Sequence, residues 1–191
     1  PRILEIGCGS GRETAFLFEQ GYEAFGVDAS NAMIACARRH HPETASRLFQ
    51  AAFPLEQSPE HAKTVLQLPF DAILLLATAM HIPDNELETI LNQVRAMLVP
   101  SGILILSSSS GRSGIENNRD PNGRLFIERT PETLTALLRK HRFRILATRQ
   151  DKAASLPQDH HDGAEGGKGD GPGEGRTGHS PLKSLVPSLI D

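Results

Sequence analysis

Three glycines at alternate positions, Gly7, Gly9 and Gly11, follow a short apolar run, and an aspartate, Asp28, closes the next one. Glycines in this pattern let a backbone approach a ligand closely and adopt positive φ. A helix that starts directly after them offers free N–H groups suited to an anionic or carboxylate-bearing ligand. An acid at the end of the second strand can accept hydrogen bonds from both hydroxyls of a ribose. Spacing then separates the nucleotide classes. A dinucleotide loop, G-x-G-x-x-G counted from Gly7, needs a third glycine where this chain has Arg12, and a triphosphate loop needs a Gly-Lys-Ser/Thr that is absent. Together, loop and acid point to a nucleoside without pyrophosphate. Cys8, between two of the glycines and without a nearby base, reads as a small loop residue rather than a nucleophile.

The elements that must hold these residues follow from the apolar pattern. Residues 2–6 read as a buried strand, 12–20 as a helix closed by Gly21, and 24–28 as a second strand. Ser30 is placed to cap a helix containing Met33, Ile34 and Ala37. A third strand is expected around 47–50, then an irregular stretch with Pro54, Pro59 and a short helix. Residues 71–77 form a continuous apolar run, as expected of a parallel strand covered on both faces. Leu87, Ile90, Leu91, Val94 and Leu98 recur at helical spacing. Pro100-Ser101-Gly102 is read as a turn into a fifth strand at 103–107. After a polar loop at 108–123, Thr130-Pro131-Glu132 opens a last helix, and 143–148 is read as a sixth strand. Strands alternating with helices imply an α/β fold with a doubly wound, mostly parallel Rossmann-like sheet. The expected organisation is one domain at 1–150 and a disordered tail at 151–191, where glycines alternate with charges and prolines.

Glu5-Ile6-Gly7-Cys8-Gly9-Ser10-Gly11, Val27-Asp28-Ala29-Ser30, the 70–76 run Phe-Asp-Ala-Ile-Leu-Leu-Leu and Leu98-Val99-Pro100-Ser101-Gly102-Ile103-Leu104 resemble, in order, the motifs of class I S-adenosylmethionine-dependent methyltransferases. The resemblance covers residues 2–150. It implies that Gly7, Cys8, Gly9 and Gly11 lie under the methionine part of the cofactor. Asp28 and Ala29 would hold the ribose, and Glu5 would orient the loop or the cofactor's amino end. Family members often carry an acid after the third strand, where this chain reads Gln50-Ala51-Ala52-Phe53. Adenine recognition is therefore expected from backbone groups at Ala51 and Ala52. Phe53 and Met33 stand equally as apolar contacts or as core residues. The family's seventh, antiparallel strand is expected to be missing, as is any element before Pro1, so weak or absent activity is expected of a chain of this extent.

Ala77 begins the segment facing the crevice after the fourth strand. That segment, 77–83, lacks the Asn/Asp-Pro-Pro-Tyr/Phe of amino-methyltransferases and resembles the type found in small-molecule methyltransferases. His81 within it is the candidate proton acceptor, with a packing histidine as the competing reading. The polar loop, with Arg112, Arg119 and Asp120, is a candidate cover for the acceptor. The expected activity is methyl transfer to a small-molecule acceptor. The alternative is a degenerate module that binds cofactor or a protein partner without catalysis, and an NAD-binding oxidoreductase is a distant third.

A net charge of -3 and a pI near 6.3 argue against a nucleic-acid footprint. No apolar run approaches the roughly 20 residues that span a bilayer. Two cysteines, Cys8 and Cys36, suit a reducing, cytoplasmic setting. The pairs His40-His41 and His160-His161 lack convergent partners, so no metal is expected.

Overall fold

The computed structural model of the chain describes residues 1–55, 58–109 and 111–149. Five strands form one parallel sheet: β1 (Arg2–Ile6), β2 (Glu23–Asp28), β3 (Leu48–Gln50), β4 (Phe70–Leu75) and β5 (Leu98–Leu106). Their order is β3-β2-β1-β4-β5. The helices between them are α1 (Arg12–Glu19), α2 (Asn31–His40), α3 (Glu60–Leu66), α4 (Asp84–Met97) and α5 (Pro131–Lys140). The chain builds outward from β1 through β2 to β3, then returns to the other side of β1 for β4 and β5. Between β1 and β4 the connections diverge, which in sheets of this kind marks the place of a ligand crevice beyond the carboxyl ends of the strands.

Burial explains why these segments are strands. Leu4, Phe70, Ile73 and Leu75 are fully enclosed, together with Leu87, Leu91 and Val94 from one face of α4. Each such side chain contributes roughly 1.5–3 kcal/mol of transfer free energy, which holds the central strands rigid under the loops they carry. α2 begins where Ser30 accepts a hydrogen bond from the Met33 N–H at 3.3 Å. α5 begins the same way, on Thr130 with Pro131 in its first turn. The basic end of α2 is tied to the sheet by Arg38, which donates to the Leu48 carbonyl at 2.6 Å.

Two expectations need correction. The turn at residues 100–102 is real but lies inside a strand. Leu98 pairs with Phe70 while Ile103 pairs with Ala72, so the residues between them bulge out of the β5 ladder. The expected sixth strand at 143–148 does not form. Its alternating apolar pattern is used by a helix ending instead. Arg142 takes a positive φ of 64° and the Phe143 N–H donates back to Leu138 O at 3.0 Å, which closes α5 and turns Phe143 onto the core. Among the described residues the sheet therefore has five strands, all parallel, and no antiparallel one.

Contacts divide the chain into two units, Pro1–Ile145 and Leu146–Asp191. The Gly-rich tail at 151–191 lies outside the described residues. Among the described residues no helix is long and apolar enough to cross a membrane.

Candidate cofactor and acceptor site

The glycine loop is pinned to β2 by two N–H groups on one carbonyl. Gly7 and Cys8 donate to Val27 O at 2.8 and 2.9 Å, and Gly11 closes the turn by donating to Cys8 O at 2.9 Å. Each of the three glycines has positive φ. Their surroundings differ, however. A methyl group on Gly7 would stand 2.3 Å from Thr78 Oγ1, and one on Gly11 3.0 Å from the Ala37 Cβ, so these two allow the loop to close on its neighbours. Beside Gly9 there is only the Met33 Cε, at 3.5 Å. Gly9 therefore marks the open side, where a ligand can lie against the backbone. The Cys8 side chain turns inward among Ile34, Ala37 and Leu48, and burial, reinforced by the Glu5 and Asp28 carboxylates, raises its thiol pKa, as expected of a packing residue.

Asp28 stands beside that open side. Its Oδ2 accepts from the Gly9 N–H at 2.9 Å and its Oδ1 from the Ser30 N–H at 2.8 Å. A carboxylate oxygen has two lone-pair sites, so each still has room for one hydroxyl. The next residues are more committed than the sequence suggested. Ala29 O accepts from Gln50 Nε2 at 3.3 Å, and the Ala51 N–H donates to Asp28 O at 3.0 Å. Ala52 is bracketed by Ser58, whose Oγ accepts from its N–H at 3.0 Å and donates to its carbonyl at 2.7 Å. The two apolar candidates separate. Met33 is 36% exposed over Gly9, whereas Phe53 packs against the core.

Beneath the loop, Glu5 is 3% exposed and accepts from Thr14 Oγ1 at 2.5 Å. Burial pushes its pKa up to about 8, opposed by the Thr14 hydrogen bond and aided by the Glu13 carboxylate. Arg12 neutralises Glu13 with two hydrogen bonds, at 2.8 and 2.6 Å. A Cβ on Gly26 would come within 2.6 Å of Thr14 Oγ1, so the glycine in β2 is what admits the hydroxyl that partners Glu5.

The far wall is the segment after β4. Ala77 sits at φ 48° and donates its N–H to Ser107 Oγ at 2.9 Å, a strained backbone position for a residue with a Cβ. A 3-10 turn, Ala79–His81, follows. The His81 Nδ1 lies 2.6 Å from Leu125 O. A carbonyl can only accept, so Nδ1 carries the proton and Nε2 is left as the basic nitrogen. Arg129, 5% exposed, holds this turn in place: Nη1 donates to Ala79 O and Nη2 to Ile82 O, both at 2.7 Å, and Nε to Asp84 Oδ1 at 2.9 Å. The Ile127 N–H adds a bond to Met80 O at 2.8 Å.

The polar loop before these anchors is built around Asp120, whose carboxylate accepts from the Asn122 and Arg124 N–H groups and from the Arg124 side chain. Burial works against the charge on Asp120, yet these donors hold its pKa below the usual range. Thr14, Ser58, Phe126 and Arg129 were not singled out by sequence reasoning. For Arg129 a signal was present, a basic residue two positions after an apolar stretch, but nothing local identified its partners. Among the described residues no cluster of His, Cys, Asp and Glu could hold a metal ion. A depression of about 290 Å³ lined by Leu55, Lys63, Leu66 and Gln67 shares no residue with this site.

The sequence model of a family described as a methyltransferase domain matches residues 4–104. The ubiquinone biosynthesis O-methyltransferase of Pseudomonas aeruginosa is 27% identical over 147 residues, 75% of this chain and 56% of that protein. The chain spans about half the length of the curated relatives it matches. An S-adenosylmethionine-dependent methyltransferase from Mesorhizobium loti shares the fold with a TM-score of 0.59 at 21% identity, covering 73% of this chain and 72% of that one. One from Archaeoglobus fulgidus gives 0.56 at 21% identity, covering 75% and 61%.

Proposed function

The chain belongs to the class I S-adenosylmethionine-dependent methyltransferases, and from that premise we propose that residues 1–150 bind S-adenosylmethionine and methylate a hydroxyl of a small-molecule acceptor. The observation that carries the reading is Asp28, clamped by Gly9 and Ser30 beside the open side of the glycine loop. An acid with one acceptor site free on each oxygen suits the paired hydroxyls of a ribose, and the space beside Gly9 suits the chain that follows it. Bound there, the cofactor supplies a methyl group already activated on a sulfonium. The protein's part is to bind, orient and manage one proton.

In this reading the backbone of Gly7, Cys8, Gly9 and Gly11 supports the methionine part. Glu5 faces its amino end from below, Ala29 adjoins the ribose, and Ala77 borders the crevice from β4. Met33 covers one face of the adenine, with Ala51, Ala52 and Phe53 around its rim. The Nε2 of His81, its tautomer fixed by Leu125 O, accepts the hydroxyl proton of the acceptor. The hydroxyl is favoured over other acceptor atoms because the relatives matched by sequence are named O-methyltransferases. The same reading places the protein in a reducing, cytoplasmic setting, supported by the free thiols of Cys8 and Cys36, and gives it no nucleic-acid partner.

Calorimetric titration tests the cofactor half. S-adenosylmethionine and S-adenosylhomocysteine are expected to bind and NAD is not. Asp28→Asn is expected to weaken both by about tenfold through loss of charge-assisted hydrogen bonds. Absence of heat from either cofactor form removes the reading. The catalytic half is tested by a radiolabelled-methyl screen over metabolite pools. On the acceptor found, His81→Gln is expected to lower kcat by about a hundredfold with cofactor affinity retained. Turnover within twofold of the native value would leave His81 a packing residue.

A further inference from the structure

Four arginines, Arg112, Arg119, Arg124 and Arg129, lie between the end of β5 and the start of α5. Three have their guanidinium groups occupied: Arg119 by Gly123 O, Arg124 by Asp120, and Arg129 by Asp84 and two carbonyls. The Arg112 guanidinium has no acidic or carbonyl partner among the described residues. It lies over the ring of Phe126, 5.6 Å from its centroid. The same ring receives the His81 imidazole edge-on at 5.8 Å. One buried aromatic residue thus positions both the candidate base and an unpaired cation, beyond the carboxyl end of β4 where the acceptor must come. Glu128, the acid that reaches the backbone of this segment, is occupied differently. Its Oε1 accepts the backbone N–H groups of Gly111 and Arg112, at 2.6 and 3.2 Å, and so fixes the stem of the arginine while leaving its head free.

We infer that Arg112 is an acceptor-binding residue that selects organic anions, a carboxylate above all, and so determines which hydroxyl compounds reach His81. The inference rests on the methyl-transfer reading for the identity of the crevice. A guanidinium resting over an aromatic face, with no acid or carbonyl on its N–H groups among the described residues, keeps those donors available, and their fork matches the two oxygens of a carboxylate. Being held in advance, it loses little side-chain freedom on binding. Arg112 is exposed, so the pair forms at the rim of the crevice, where it sorts ligands by charge.

The test uses matched probes, hydroxybenzoic acids and their methyl esters, titrated into the full chain with and without saturating S-adenosylhomocysteine. The acids are expected to bind about tenfold more tightly than the esters. In Arg112→Gln the preference is expected to fall to within about twofold, with affinity for S-adenosylhomocysteine unchanged. It is expected to survive in Arg139→Gln, which removes the same charge from the last turn of α5. Equal binding of acids and esters by the native chain, binding of neither, or a preference that persists in Arg112→Gln overturns the inference. Absence of heat from S-adenosylhomocysteine counts instead against the cofactor reading, and the comparison of acid with ester is then read on the chain alone.

Discussion

Glu5→Gln is expected to make the chain more stable at pH 9, by roughly 3 kcal/mol, while weakening its hold on the cofactor. The unfolded chain ionises this carboxyl near 4.5, the folded one near 8. Between those values the folded state keeps a proton that the unfolded state has lost, so stability declines as pH rises. The contribution is complete below about 4.5 and gone once pH has passed 8. At about 1.4 kcal/mol per pH unit the gap amounts to roughly 5 kcal/mol. An amide escapes that penalty but buries an NH2 without a partner, at a cost of roughly 1–3 kcal/mol. The difference is a large share of the 5–15 kcal/mol that a domain typically has. Urea unfolding of both chains at pH 5, 7 and 9 measures it. Contributions from groups common to both chains cancel in the comparison. A native-minus-variant difference that does not change with pH would show that Glu5 is not the acid responsible. If the gain appears together with unimpaired cofactor binding, Glu5 is a burden without a use.

Arg129→Met is expected to cost roughly 2 kcal/mol, because the half-buried Ile82 carbonyl loses its donor and the buried Ala79 carbonyl keeps only the Ile82 N–H at 3.2 Å. The side chain of methionine fills most of the same volume, so the loss reports hydrogen bonds more than packing. Function should divide. The turn that carries His81 loses its anchor, whereas Asp28 and the glycine loop feel the change only through the contact of Thr78 with Gly7, so turnover falls by far more than cofactor affinity. Arg129→Lys, with the charge but not the fork, should recover only part of the stability. Denaturant midpoints and paired kcat and Kd values decide the matter. Stability equal to that of the native chain would mean that the carbonyls find other partners.

Backbone demands were the legible part of this sequence. Gly7, Gly9 and Gly11 were interpretable because few residues tolerate positive φ, and Asp28 because strand ends are marked by their neighbours. The central strands were visible as apolar runs because both faces of a parallel sheet are covered. Phe143 misled because a strand exists only with a partner, and alternation along 143–148 carries no information about one. Distance in sequence hid the rest. Arg129 meets Ala79 and Asp84 across 50 and 45 residues, and His81 meets Leu125 across 44. Thr14 looked like an ordinary helix residue until the fold brought it to Glu5. The backbone groups of Ala51 and Ala52 looked free until Ser58 and Asp28 O were seen to occupy them.

The contact of Gly7 with Thr78 has a consequence for how the two halves of the crevice communicate. No atom fits between them, and a packed interior transmits displacement because it has little to compress. An acceptor that shifts the wall after β4 therefore shifts the floor under the cofactor. Thermodynamic linkage makes the effect mutual: the factor by which one ligand changes the other's affinity is the same in both directions. A single absent methyl group thus ties two binding equilibria together.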